Sequence, residues 1–213
     1  MTDIADLPIL YSFRRCPYAM RARLALQSSG QKVVLREIVL RDKAPEMLIA
    51  SPKGTVPVLV DNEVVIEQSL DVMHWALKTS DPENWLSMPS EGSALIEQAD
   101  GPFKTSLDHY KYASRYDDVD GEVAREAACE FLQKLNAKLD GQEYLFGDAP
   151  CLADMAILPF VRQFAHVDRE WFWSQDWSYL ISWLDRFLAS ERFASIMTKY
   201  PKWVSGDPVT EFN

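Results

Sequence analysis

The chain has 213 residues, of which 47% are hydrophobic and 25% charged, and its 32 acidic and 22 basic side chains leave a formal net charge of −10 at pH 7. Such a surface repels phosphate backbones and anionic membranes unless a local basic patch overrides it, which argues against nucleic acid as a partner. The length suits one large domain or two modest ones needing no disulfide or metal staples, and no apolar stretch approaches the roughly 20 residues of a bilayer span. Cys16, Cys129 and Cys151 are odd in number and widely spaced, and no basic-then-apolar leader opens the sequence, so a reducing cytoplasmic setting is expected.

Pro8 to Phe13 predicts a short strand, followed by a helix whose Met20, Leu24 and Ala25 fall at helical spacing and which ends near Ser29-Gly30. Lys32 to Leu40 predicts a second strand, Pro45 to Ala50 a short helix, and Val56–Val60 with Glu63–Ile66 two strands joined by the turn dipeptide Asp61-Asn62. Ser69 to Leu77 closes this unit as a helix with Leu70, Met73 and Leu77 on one face. Residues 80–92, with Asp81-Pro82, Pro89-Ser90 and Gly92, predict a linker, and strand signals nearly vanish after it. Amphipathic helices are predicted over Ser93–Tyr116, Glu122–Leu139, Leu152–Phe164, Trp177–Ala189 and Arg192–Lys199. The expected division is therefore an α/β domain over 1–79, a linker over 80–92, and an all-helical domain over 93–213.

Three segments carry candidate chemistry. Cys16-Pro17-Tyr18-Ala19 lies between the first strand and first helix, with proline suited to the first turn and cysteine at the cap. A thiol there faces unpaired backbone N–H groups and the positive end of the helix dipole, which favour thiolate, and Arg14 and Arg15 add positive potential. An isolated cysteine is otherwise most often a small buried hydrophobe. Ala19 stands where a dithiol pair would have its second cysteine, so redox chemistry at Cys16 is monothiol. In Ser51-Pro52-Lys53-Gly54-Thr55-Val56-Pro57, a proline at a strand start is explained by a cis Val56–Pro57 peptide, which leaves the Val56 backbone available to an extended ligand, or by a trans proline on an edge strand. Gln68-Ser69 at a helix start can hold a carboxylate or act only as a cap.

Together these segments, Cys-Pro-Tyr-Ala, Ser-Pro-Lys-Gly-Thr-Val-Pro-Val-Leu and Gln-Ser followed by Val72 and Trp75, resemble the thioredoxin-like domain of glutathione transferases. The cysteine version resembles the omega class and its bacterial relatives. Gly147-Asp148-Ala149-Pro150-Cys151-Leu152-Ala153-Asp154 is similar to the family's capping box in the helical domain, with Cys151 where Ser or Thr is usual and Asp148 as an alternative cap. The resemblance implies a thioredoxin-like N-terminal domain with an all-helical C-terminal domain, glutathione as cosubstrate, no metal, and a homodimer. It places Cys16 as nucleophile, Val56 before a cis-Pro57 on the glutathione backbone, and Gln68 with Ser69 at the γ-glutamyl end; Lys43 and Lys53 are candidates for the glycine end by neighbourhood. It also implies that Phe103, Tyr110 and Tyr112 face the ligand cleft, core packing being the alternative, and that Arg14, Arg15, Arg21 and Arg23 steer the acidic glutathione. The expected activity is thiol transfer through a Cys16–glutathione mixed disulfide on a small disulfide or electrophilic substrate. Two alternatives are conjugation of glutathione activated by Tyr11 or Ser12, and a non-catalytic binding module.

Other chemistry finds no support. Asp118-Val119-Asp120-Gly121 resembles the centre of a calcium loop, but Tyr116 and Ala127 occupy the first and twelfth ligand places, so it reads as a loop opening a helix. His74, His109 and His166 lack metal-ligand spacing, and the eight glycines are too isolated to cradle a phosphate.

Overall fold

A computed structural model describes residues 6–213. In chain order the first elements are β1 (Ile9–Ser12), α1 (Pro17–Ser29), β2 (Val33–Glu37), α2 (Pro45–Ala50), β3 (Val58–Asp61), β4 (Val64–Ile66) and α3 (Ser69–Thr79). Proline in the first turn of α1 gives up an N–H that has no helical partner there, and Gly30 ends the helix in the left-handed region at φ 68°. Asn62, at φ 51°, makes the tight β3–β4 turn that its side chain tolerates.

A helical run follows: α4 (Ser90–Gln98), a π-helical stretch over Ala99–Phe103, α5 (Lys104–Lys111), a single 3₁₀ turn over Ala113–Arg115, α6 (Gly121–Lys138), α7 (Leu152–Ala165), α8 (Arg169–Trp173) and α9 (Ser178–Ala189). The continuous helix expected over Ser93–Tyr116 is thus interrupted. Pro102 lies inside the π-helical stretch and supplies no N–H to the carbonyl one turn back, so the local widening accommodates the missing bond. Asp120 caps α6, its Oδ1 accepting from the Glu122 and Val123 N–H groups at 2.8 and 3.3 Å, which is the loop-opening-a-helix reading of that acidic cluster. The chain closes with α10 (Glu191–Ile196) and β5 (Glu211–Phe212).

The five strands form one sheet in the order β4-β3-β1-β2-β5. β1 runs parallel to β2, pairing Ser12 with Glu37, and antiparallel to β3, while α1 and α3 pack on one another beside the sheet. This is the thioredoxin-like arrangement, and the parallel β1–β2 pair, joined by α1, brings the loop carrying Cys16 to the end of the sheet.

The chain separates into two compact units: the first runs up to Pro82 and also takes Glu191–Asn213, and the second is Glu83–Ser190. The closing segment, expected within the helical domain, therefore belongs to the sheet unit. Its reason is local: Phe212 pairs with Val33 on β2 and is buried, Trp203 N–H donates to Glu37 O at 2.9 Å, and Ile196 is fully buried.

In the second unit Phe103 is buried against Phe131 and Phe164, with ring centroids 5.0 and 5.9 Å apart, so the core-packing alternative holds for it. Tyr110 packs on Phe164, and the Arg115 guanidinium lies 4.1 Å from the centre of the Tyr112 ring. Asp154 in the first turn of α7 is the polar hub: Leu145 N–H, Cys151 N–H and Trp183 Nε1–H donate to it at 2.9 to 3.0 Å. Cys151 itself is the N-cap, and its thiol turns to Asp154 Oδ2 at 3.2 Å.

Candidate functional site

Cys16 is the N-cap of α1, extended at φ −79° and ψ 124°. Its N–H closes a turn to Phe13 O and its carbonyl accepts Met20 N–H, both at 2.9 Å, so the residue is fixed at the mouth of the helix. The thiol lies 3.8 Å from Val56 O and donates toward it. Val56–Pro57 is cis, which is the expected isomer. Two segments forty residues apart in sequence thus meet at one thiol and one backbone carbonyl.

Beside them opens a cavity of about 260 Å³. Lys53, Thr55, Val56 and Pro57 line it from the loop before β3, Glu67, Gln68 and Ser69 from the start of α3, and Tyr18 from α1. The predicted residues Val56, Pro57, Gln68 and Ser69 are therefore brought together, with Cys16 adjoining them through Val56. Of the two lysine candidates, Lys53 lines the cavity, whereas Lys43 lies against Gly54, its Nζ 3.5 Å from the point a Cβ there would occupy. Gly54 has φ 66°, a left-handed conformation that disfavours a side chain, whereas Leu48 at 3.4 Å from the same point is in ordinary contact.

Glu67 escapes the sequence reading, since nothing about it stands out from an ordinary loop residue, and Thr55 and Tyr18 enter that reading only as motif positions with no role. Glu67 has a structural role that only the fold reveals: the fully buried Ser51 hydroxyl donates to its carboxylate, tying the two cavity-lining loops together. Behind the cavity Arg21 Nη1 donates to Ser69 Oγ at 3.4 Å.

The basic cluster is not the steering surface the sequence suggests. Arg21 is 1% exposed and Arg23 0%, and of the four only Arg15 is exposed, Arg14 being half-buried. Arg23 uses all three guanidinium nitrogens inside the protein, on Ser12 Oγ at 2.9 Å, Ile196 O at 3.0 Å and the Glu37 carboxylate. A buried, paired cation has little field left for a distant anion.

The two hydroxyls proposed as alternative activators are also engaged. The Tyr11 hydroxyl accepts from Arg36 Nη1 at 2.6 Å, and burial raises its pKa despite that cation. Ser12 is fully buried, with its oxygen on Arg23. Burial likewise pushes the Cys129 thiol up, and it drives Cys151 up to about 12, helped by the neighbouring Asp154 carboxylate.

Family models settle what this assembly belongs to. The glutathione S-transferase N-terminal domain matches residues 10–84, and the glutathione S-transferase C-terminal domain matches residues 96–186. The chain is a member of the glutathione S-transferase family.

Among its relatives, glutathione S-transferase U22 of Arabidopsis thaliana is 27% identical over 168 residues, covering 76% of this chain and 75% of that one. Glutathione S-transferase U19 of the same plant is 25% identical and covers 98% of this chain and 95% of its own. Of the solved structures, a family member from Pseudomonas fluorescens with two glutathione molecules bound superposes with a TM-score of 0.79 at 17% identity, covering 92% of this chain and 94% of that one. A Pseudomonas putida glutathione transferase with glutathione disulfide bound gives 0.77 at 15% identity, covering 92% and 93%. Among the described residues no cluster of three or more His, Cys, Asp or Glu is placed to hold a metal, and no helix of this transferase is long and apolar enough to cross a membrane.

Proposed function

We propose that this glutathione S-transferase family member binds glutathione in the cavity beside Val56, Gln68 and Ser69 and uses Cys16 for thiol transfer. The observation that carries the reading is the Cys16 thiol at the N-terminus of α1, bonded to the Val56 carbonyl on the cavity wall. The positive end of the α1 dipole, at which that sulfur lies, favours its ionised form. An extended γ-glutamyl peptide can pair its backbone with Val56 as an added strand, while Ser69 and the first turn of α3 receive its γ-glutamyl carboxylate. Lys53 on the cavity wall and Lys43 beside Gly54 supply cations for the glycine carboxylate.

In the first step the Cys16 thiolate attacks the glutathione sulfur of a mixed disulfide, forming a Cys16–glutathione disulfide and expelling the substrate thiolate, which takes a proton from solvent. A second glutathione, as thiolate, then attacks the sulfur of the bound glutathionyl group, forming oxidised glutathione and restoring the Cys16 thiolate. Ala19 provides no resolving thiol, so the intermediate waits for external glutathione. Burial of Tyr11 and Ser12, 2% and 0% exposed, supports this reading over one in which either hydroxyl reaches glutathione to activate it. Conjugation of glutathione to electrophiles remains a second reading, favoured by the glutathione S-transferase names of the relatives. A homodimer in the cytoplasm completes the proposal.

Intact mass after incubation with oxidised glutathione tests it. One glutathionyl adduct mapping to Cys16 and released by reduced glutathione is expected, together with loss of disulfide-reductase turnover in Cys16→Ser. Full reductase activity in Cys16→Ser overturns the mechanism and leaves conjugation.

A further inference from the structure

The loop between β1 and α1 is held by one side chain whose own anchorage lies under the closing segment of the chain. Glu37, the last residue of β2, splits its carboxylate: Oε1 accepts the Arg14 N–H at 2.8 Å, and Oε2 meets Arg23 Nη2. Arg14 is two residues before Cys16, within the turn that Cys16 N–H closes on Phe13 O. The strand below is fixed as well, since Ile38 N–H donates to Ser12 O at 2.7 Å and Arg23 Nε to Ser12 Oγ. Glu37 is therefore the strut that sets the height of the loop above the sheet, and Arg23 holds the strut.

The closing segment covers this pair. Ile196 O takes the remaining Arg23 nitrogen, the Tyr200 and Phe212 rings lie 6.0 and 5.7 Å from its guanidinium carbon, and Trp203 N–H donates to Glu37 O. Arg14 reaches the same segment by Nη1 on Met197 O at 3.3 Å. A buried ion pair is weak evidence for stability, because desolvation offsets the attraction, and it is better explained where it fixes a geometry. Here the geometry fixed is that of the loop leading to Cys16.

We infer that Glu37, locked by Arg23 beneath residues 196–212, is a positioning residue for the Cys16 thiol. The inference rests on Cys16 being the reactive thiol, and it makes Glu37 act without touching glutathione. Glu37→Gln leaves one acceptor oxygen for two donors, the Arg14 N–H and Arg23 Nη2, so one of them loses its partner and the loop holding the thiol beside the Val56 carbonyl loosens, while Val56, Gln68 and Ser69 stay in place.

The test uses the full chain with Glu37→Gln, and Arg23→Lys as a second variant should the first not fold. Three quantities are read: hydrogen exchange of the peptide spanning Phe13 to Cys16, the iodoacetamide alkylation rate of Cys16, and calorimetric affinity for S-methylglutathione. Faster exchange in the loop and a fall of at least about tenfold in alkylation, with unchanged S-methylglutathione affinity, are expected, since the alkylation rate follows the thiolate fraction that the helix N-terminus sustains. A residue that only stabilised the fold would leave alkylation of the folded protein unaltered or lower rate and affinity together, and either result overturns the inference. Alkylation does not depend on turnover, so full activity in Cys16→Ser would reject the mechanism above, whereas wild-type alkylation in Glu37→Gln would reject only the role of Glu37.

Discussion

The three cysteines differ in surroundings more than in sequence, and their chemistry should follow. Cys151 is buried with its thiol on a carboxylate, and Cys129 is pushed up by burial, whereas Cys16 sits at a helix N-terminus. Iodoacetamide at pH 6 is expected to alkylate Cys16 first and to leave Cys151 unmodified in the folded protein, read by peptide mass mapping. Equal labelling of all three would make Cys16 an ordinary thiol. At the other end of the cavity, Gln68→Ala combined with Ser69→Ala should weaken glutathione binding, since each hydrogen bond to a charged group is worth about 1.5–3 kcal/mol. Titration calorimetry checks this, with circular dichroism expected to stay that of the wild type. Arg21 donates to Ser69 from behind, so part of the loss will come from that disrupted contact.

Among the elements, α7 carries the most specific stability prediction. Four donors converge on Asp154: three N–H groups and the Cys151 thiol. Asp154→Ala orphans them in a buried setting at a cost of about 1–3 kcal/mol for each donor left unsatisfied, and urea denaturation should show a large fall in the midpoint. Cys151→Ser keeps a donor for Asp154 and adds a competent cap oxygen, so a gain of about 0.5–2 kcal/mol is expected. The same thiol gives a pH signature. Its folded pKa, about 12, lies above the ordinary 9.0, so the folded form keeps a proton that the unfolded form releases. Stability is then fully present below pH 9 and declines as pH rises from there toward 12, and Cys151→Ser should flatten that alkaline decline in thermal melts.

Most of these elements are legible in sequence because each has a local cause. Pro45 and the Ser51 that follows Ala50 bound α2 as expected, and Asp61-Asn62 marks its turn without help from the rest of the fold. β5 has no such signature: two residues become a strand only because the free edge of β2 lies beside them. α8 spans five residues, too few to show a helical period, and its cap, Asp168 on Trp171 N–H at 3.0 Å, looks like any aspartate in a loop. Of the proposed site, Cys16, Val56, Gln68 and Ser69 are picked out by motif position, while Glu67 and Glu37 bond to partners remote in sequence, Ser51 and Arg23. Charge patterning likewise misleads for Arg21 and Arg23, because a helix covered on every side can bury a cation only when distant segments bring it acceptors.

At the scale of the whole molecule the first unit is discontinuous, closed by residues 191–213. Phe212→Ala should therefore weaken the sheet unit, with a loss of about 3–5 kcal/mol if the ring behaves as a core phenylalanine. Urea denaturation would detect it, and hydrogen exchange should quicken on β2 while α6 and α9 keep their protection. An unchanged midpoint would show that the β2 edge needs no partner.

That discontinuity also has a consequence for the order in which the protein is made. Val33 and Val34 leave the ribosome long before Glu211 and Phe212, which pair with them. At ordinary elongation rates the interval is about 10–35 s. Throughout it the outer edge of β2 is unpaired and Arg23 lacks the carbonyl of Ile196, so the nascent domain must be shielded or remain loosely folded until its last strand arrives.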